Sequence, residues 1–203
     1  ALDRDAGGLA ELENDCPGLI SAFVDLADAQ ATDRVLGEVV RTPVDTVIHN
    51  AAILRVEPIE ALSFEVFRAT LDVGIQAAYQ LTRAVWVGMK QRGGGALIFV
   101  SSRSGIEGFA DETAYCATKH ALEGFSKSLA LEGAPYGILS ATVTPGMYMH
   151  TPMSETTYPP ELRAKWVDPI ELAPAFSYLA TRPMQHSGQR LSAWDLCQQE
   201  RAS

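Results

Sequence analysis

Tyr115 and Lys119 stand four residues apart in Tyr115-Cys116-Ala117-Thr118-Lys119, and Ser102 lies thirteen positions upstream. On a helix, residues four apart share a face, one turn from each other. An ammonium placed beside a phenol favours the ionised phenol, which otherwise titrates near ~10 and is a poor acid or base at neutral pH. A serine hydroxyl arriving from a neighbouring strand end orients a carbonyl or alcohol oxygen. Together these three residue types can pass a proton to or from such an oxygen. Tyr and Lys also meet by chance on helix surfaces, so the surrounding elements decide what the spacing means.

Those elements deliver the three residues to one place. Ala96 to Ser102 is an apolar run ending in two hydroxyls, a buried parallel strand with the serines at its C-terminal end. Asp45 to Ala52 has the same form, a short buried strand followed by Asn50 and two small residues. Ile138 to Gly146 is a third strand, ending in the Pro145-Gly146 turn. Ligands of open α/β sheets bind at the carboxyl ends of strands. The remaining pattern alternates in the same way. Helices are predicted at Asp5–Glu13, Asp28–Val40, Ser63–Arg92 and Thr113–Tyr136, with strands at Leu19–Asp25, Val44–Asn50, Ala96–Ser102 and Ile138–Val143. Ser63 is placed to cap the long helix and Gly93 to stop it. No repeat or linker divides the chain, so residues 1–203 read as one domain.

Taken together the motifs resemble the short-chain dehydrogenase/reductase family of the single-domain kind, across nearly the whole chain. Asn50-Ala51-Ala52 resembles the Asn-Ala-Gly after the family's fourth strand. Ser102, Tyr115 and Lys119 match its Ser and Tyr-x-x-x-Lys in order and spacing, and Pro145-Gly146 matches the turn after its sixth strand. Asp25-Leu26 resembles the pair flanking the adenine ring, and Ser187-Gly188-Gln189 the motif before the last strand. The resemblance implies an α/β fold, a Rossmann-like doubly wound parallel sheet in three α/β/α layers. It implies an NAD(P)-dependent oxidoreductase interconverting an alcohol and a ketone or aldehyde. In that reading Tyr115 is the general acid/base, Lys119 lowers its pKa and holds the nicotinamide ribose, and Ser102 binds the substrate oxygen. The thirteen-residue spacing to Tyr115 prefers Ser102 over Ser101. Asn50 lines the cofactor pocket. Tyr148 meets the nicotinamide carboxamide through its backbone, and Thr151 resembles a family Thr that contacts the same group.

Two positions depart from the family pattern. The chain opens at Ala1-Leu2-Asp3-Arg4, which resembles the end of the second strand, and no Thr-Gly-x-x-x-Gly-x-Gly loop is found. Gly7-Gly8 sits in a helix-like stretch and Gly93-Gly94-Gly95 in a turn, so neither follows a strand and opens a helix. The expectation is that one βα unit of roughly 35 residues is missing from this chain. The second departure is Gly74, where the family usually has an Asn that serves a proton relay behind the Lys. The resemblance implies a slowed relay, and a gain in turnover when Asn is restored.

Asp3 and Arg4 bear on cofactor choice. A carboxylate at the end of the second strand accepts hydrogen bonds from the adenosine ribose and repels a 2′-phosphate, whereas an Arg just after it attracts one. NAD is the expected cofactor, with NADP the alternative. Met147 to Trp166 resembles the family's lid. Its Met147, Met149, Met153, Tyr148, Tyr158 and Trp166 point either to an apolar or aromatic substrate or to ordinary packing. His49 reads as structural, His120 as facing away from Tyr115 and His186 as part of a turn, while His150 lies in the lid within reach of substrate.

Composition narrows the function classes. A net charge of −9 argues against nucleic-acid binding. No apolar run approaches the ~18 residues of a membrane span. Three widely spaced cysteines, Cys16, Cys116 and Cys197, suggest reduced thiols in the cytoplasm and no zinc site. The long helices resemble those that pair in family dimers and tetramers, so a homo-oligomer is expected. The competing class is a non-catalytic binding or scaffold protein that has lost the cofactor; the intact Ser102, Tyr115, Lys119 and Asn50 argue for the enzyme.

Overall fold

The computed structural model describes residues 1–202. Its elements run β1 (Leu2–Asp3), α1 (Ala6–Asp15), β2 (Ala22–Phe23), α2 (Ala29–Val39), β3 (Thr46–His49), α3 (Phe64–Leu71), α4 (Ala77–Gln91), β4 (Gly95–Val100), α5 (Thr113–Gly133) and β5 (Ile138–Thr144). They continue through β6 (Tyr148–Met149), α6 (Pro152–Thr157), β7 (Trp166–Val167), α7 (Ala173–Ala180), β8 (Arg190–Ser192) and α8 (Ala193–Ala202).

The central sheet is parallel, in the order β3-β4-β5-β8. Strand side chains alternate between faces, and here both faces are covered. Leu97 and Phe99 pack on α4 and α5 with Ala78, Val85, Met89 and Leu122. Ile98 and Val143 pack on α7 and α8 with Ala175, Leu179 and Leu196. This two-sided burial explains why β4 reads as an unbroken apolar run. It gives the three-layer, doubly wound arrangement expected from the sequence.

Local capping follows the predicted chemistry. Ser63 accepts the Val66 N–H at 3.2 Å and opens α3. Asp5 accepts from the N–H groups of Gly7 and Gly8, so those glycines begin a helix instead of forming a phosphate loop. Gly93 takes φ +76° just after α4, a conformation that suits glycine at a helix stop. The single helix predicted over Ser63–Arg92 is instead interrupted. Asp72–Gln76 form one turn of π-helix between α3 and α4. Gly74 sits inside that turn, where a Cβ would overlap Thr118 Cγ2. The close approach of the turn to α5 therefore needs glycine.

The strand predicted over Leu19–Asp25 shrinks to Ala22–Phe23, because its partner β1 offers only two residues to pair. β1 and β2 form a parallel pair of their own, not hydrogen-bonded to the central sheet. Between β1 and β3 lies a cleft of about 1020 Å³, with Leu2, Val39, Ile48, Leu81, Ile170 and Phe176 among its walls. Among the described residues no helix is long and apolar enough to cross a membrane.

Candidate active site

The catalytic candidates sit where β4 and β5 end and α5 begins. Tyr115 lies in the first turn of α5 and Lys119 one turn deeper. Ser102 follows the end of β4. The Ser102 hydroxyl lies close enough to the Tyr115 phenol to favour its ionised form. Ser102 Oγ also accepts the Ser104 N–H at 3.2 Å, which fixes the turn after β4. Ser101 points the other way, into the core, where its hydroxyl donates to Glu123 at 2.5 Å. That division of labour places Ser102, and not Ser101, beside the phenol.

Lys119 is 2% exposed. Its Nζ donates to the Val100 carbonyl at 2.7 Å and stands 5.4 Å from the centre of the Tyr115 ring. Burial lowers its pKa to about 8, while the Glu123 carboxylate acts in the opposite sense. The Tyr115 phenol departs from the sequence expectation. Burial pushes it up to about 12, and the Ser102 hydroxyl only partly offsets this. Tyr115 thus holds its proton at neutral pH. Proximity of an ammonium does not by itself yield an ionised phenol where desolvation is the larger effect.

β3 contributes His49 and Asn50. His49 is buried and its Nε2 bonds the Gly74 carbonyl at 2.8 Å. Burial lowers its pKa to about 4, and the nearby Lys119 charge adds to the lowering. A neutral imidazole donating through Nε2 matches the carbonyl acceptor. Asn50, the next residue, is exposed at the strand end and lines the cleft.

The adenosine-side candidates converge separately. Asp3, Asp25 and Leu26 line a pocket of about 130 Å³ with Arg4, Ala51 and Val73. Arg4 lies 3.7 Å from the Asp25 carboxylate. Asp3 accepts the Asp5 N–H at 3.0 Å. Leu2, Asp3, Leu26 and Ala51 line both this pocket and the cleft, so the two spaces adjoin.

After β5, Pro145 accepts the Trp194 N–H at 3.1 Å, and Gly146 takes φ +81° with Ser192 Oγ in the space a Cβ would need. Glycine is required there by conformation and by room. Tyr148 on β6 makes an edge contact with Tyr158, ring centres 6.0 Å apart. Thr151 has a structural task, accepting the Ser154 N–H at 3.1 Å to cap α6. The segment from Met147 to Trp166 is held by local contacts. His150 stacks on Trp166 with ring centres 4.9 Å apart and pairs with Glu155 at 2.7 Å. Tyr158 carries a raised pKa from burial first, then from Glu112 and Tyr148, with Arg103 opposing. Phenols and charges therefore share the wall beside Tyr115.

The sequence reading passed over the His49–Gly74 bond, Glu123 and Arg190. Glu123 had a legible signal, its place one turn beyond Lys119 on the same helix face. The other two depend on contacts between distant elements.

Known proteins share the sequence pattern and the fold. The family model for short chain dehydrogenase matches residues 2–161. The L-xylulose reductase of Mesocricetus auratus is 36% identical over 166 residues, covering 81% of this chain and 67% of that protein. The D-erythrulose reductase of Gallus gallus is 33% identical over 174 residues, covering 85% of this chain and 66% of that protein. The fold superposes, with TM-score 0.86 and 27% identity, on a Beutenbergia cavernae protein proposed to be an NAD(P)-dependent gluconate 5-dehydrogenase, with NADP bound at low occupancy. That match covers 96% of this chain and 85% of the other. A Shigella flexneri protein proposed to be a short chain dehydrogenase, complexed with NADP, gives TM-score 0.83 at 26% identity, covering 95% of this chain and 84% of that one.

Proposed function

The chain belongs to the short-chain dehydrogenase family and is an NAD(P)-dependent oxidoreductase, and from this premise we propose that Ser102, Tyr115 and Lys119 carry its reaction between an alcohol and a ketone or aldehyde. The observation that carries the reading is the convergence on Tyr115 of Lys119 Nζ, 5.4 Å from the ring centre and one turn deeper on α5, and of the Ser102 hydroxyl, which acts on the phenol.

The nicotinamide cofactor, when bound, supplies or takes up the hydride. Ser102 orients the substrate oxygen and donates to it as negative charge develops. Tyr115, protonated at neutral pH, gives its proton to that oxygen in reduction and takes it back in oxidation. Lys119 stabilises the phenolate that reduction leaves. The residues fit the cofactor. Asp3, Asp25 and Leu26 would hold the adenosine end, while Asn50, Pro145, Gly146, Tyr148 and Thr151 would line the nicotinamide side.

Calorimetry of NADH and NADPH with the wild type and Tyr115→Phe tests the reading. Turnover should fall about 10²- to 10⁴-fold in the variant while cofactor affinity stays the same. Substantial residual turnover removes Tyr115 from its role. Asp3 supports a preference for NAD, and Arg4, with the NADP found in similar structures, supports NADP. We favour NAD; Asp3→Ala should then shift the NAD/NADP affinity ratio toward NADP by about fivefold, and an unchanged ratio defeats the argument.

Glu112 and Tyr158, which act on the Tyr115 phenol, support a small hydroxylated carbonyl compound over a purely apolar one. The reductases of L-xylulose and D-erythrulose among the relatives support the same class. Apolar side chains exposed on the long helices, Tyr79, Val87 and Leu131, support self-association as a homodimer or homotetramer. Three unpaired cysteines support a cytoplasmic location.

A further inference from the structure

We propose that Glu123 and Arg190 act as a positioning pair for the reaction, fixing from behind the strand end that carries Ser102 and balancing the charge beside Lys119. This rests on the roles assigned above to Ser102, Tyr115 and Lys119.

Glu123 lies on α5, one turn beyond Lys119, and is buried. Its Oε1 accepts from Ser101 Oγ at 2.5 Å and lies 3.3 Å from Arg190 Nε, and its Oε2 accepts from Thr142 Oγ1 at 2.8 Å. Arg190, at the start of β8, donates from Nη2 to the Ser102 carbonyl at 3.1 Å. One carboxylate thus ties α5 to β4, β5 and β8, and its cation reaches the backbone of Ser102 itself. A Cβ on Gly105 would crowd Ser101 Oγ at 2.7 Å and Glu123 Oε1 at 3.2 Å, so the turn after Ser102 closes directly over the pair.

Stability alone is a weak reason for such a pair. A buried carboxylate is costly unless several donors satisfy it, and apolar residues of similar volume often stabilise as well or better. What an apolar replacement lacks is an electrostatic hold on Lys119. The ionisable groups facing Lys119 are Tyr115 and Glu123 on α5 and His49 on β3, with the Val100 carbonyl of β4 as its acceptor. His49 is neutral above about 4, so Glu123 supplies the opposing charge, and Arg190 tempers it.

The two partners should therefore act on Lys119 with opposite signs. Glu123→Gln leaves burial unopposed and moves the Lys119 titration to lower pH, by about one pH unit. Arg190→Met leaves Glu123 unbalanced and moves it to higher pH. Arg190→Lys keeps the charge, so it restores the titration while losing the fork that reaches the Ser102 carbonyl.

Protein labelled with 13C at lysine Cε, which has four lysines, is titrated by NMR, and the resonance missing in Lys119→Arg identifies Lys119. The expected result is a wild-type midpoint near 8, displaced in opposite directions by Glu123→Gln and Arg190→Met. The alkaline limb of kcat should follow each displacement, and Arg190→Lys should lower kcat about tenfold at an unchanged midpoint. Midpoints that stay put, or that both move the same way, overturn the proposal. Because the NMR titration needs no turnover, an inactive protein with displaced midpoints counts against the assigned reaction and not against the pair.

Discussion

β4 and β5 pair across six registered positions and are covered on both faces, whereas β1 and β2 pair across two and stand beside a cleft of about 1020 Å³. The residues proposed for catalysis grow from the first region and those proposed for the adenosine side from the second. A hydroxyl that must meet an oxygen within a few tenths of an ångström is mounted on the rigid part. A pocket that surrounds a flat ring tolerates looser walls. The difference shows that one site can be built to two standards of precision, set by how many neighbours each strand has.

The strongest way to break that contrast is to remove a ring from each region. Phe99 on β4 is 0% exposed, and Phe99→Ala should cost about 3–5 kcal/mol. Phe23 on β2 is 65% exposed, and Phe23→Ala should stay within about 0.5 kcal/mol. Urea melts of the two variants decide it, and equal losses would erase the distinction.

His49 marks the boundary between the regions. An unfolded His titrates near ~6.5, and the buried imidazole near 4. Between those values the unfolded chain binds the extra proton. Stability should therefore fall as pH drops from about 6.5 to 4, by about 3 kcal/mol in total. Denaturant midpoints across that range should show a steeper decline for wild type than for His49→Gln. Parallel curves would mean that the imidazole is not held neutral.

A smaller effect is expected at Gly74. Family resemblance implies that Asn there improves turnover, but the packed turn has no room beside Thr118. Gly74→Asn should lose about 1–3 kcal/mol of stability and some turnover. Adding Thr118→Ala should recover part of both. A single variant faster than wild type would restore the relay argument.

Much of this was legible in the chain because local rules set it. Ser63, Asp5 and Gly93 announce helix ends through side-chain and backbone chemistry confined to a few residues. Ser102, Tyr115 and Lys119 are fixed by strand-end placement and helical spacing. The π-turn was not legible, because the need for glycine at position 74 shows only when Thr118 of a different helix is set against it. The direction of the Tyr115 shift was misread for a related reason. Sequence spacing gives the distance to Lys119 but not the loss of water around the phenol, which outweighs it. Glu123 meets Arg190 only after β8 joins β5.

One helix carries Tyr115, Lys119 and Glu123 at successive turns, from the mouth of the site into the core. Each step of four residues advances about 6 Å, and each single residue rotates the chain by about 100°. Substitutions in this stretch change chemistry one group at a time. A one-residue insertion or deletion between Tyr115 and Glu123 would swing every later group off its face at once. The nine-residue span therefore has a fixed length as well as a fixed vocabulary.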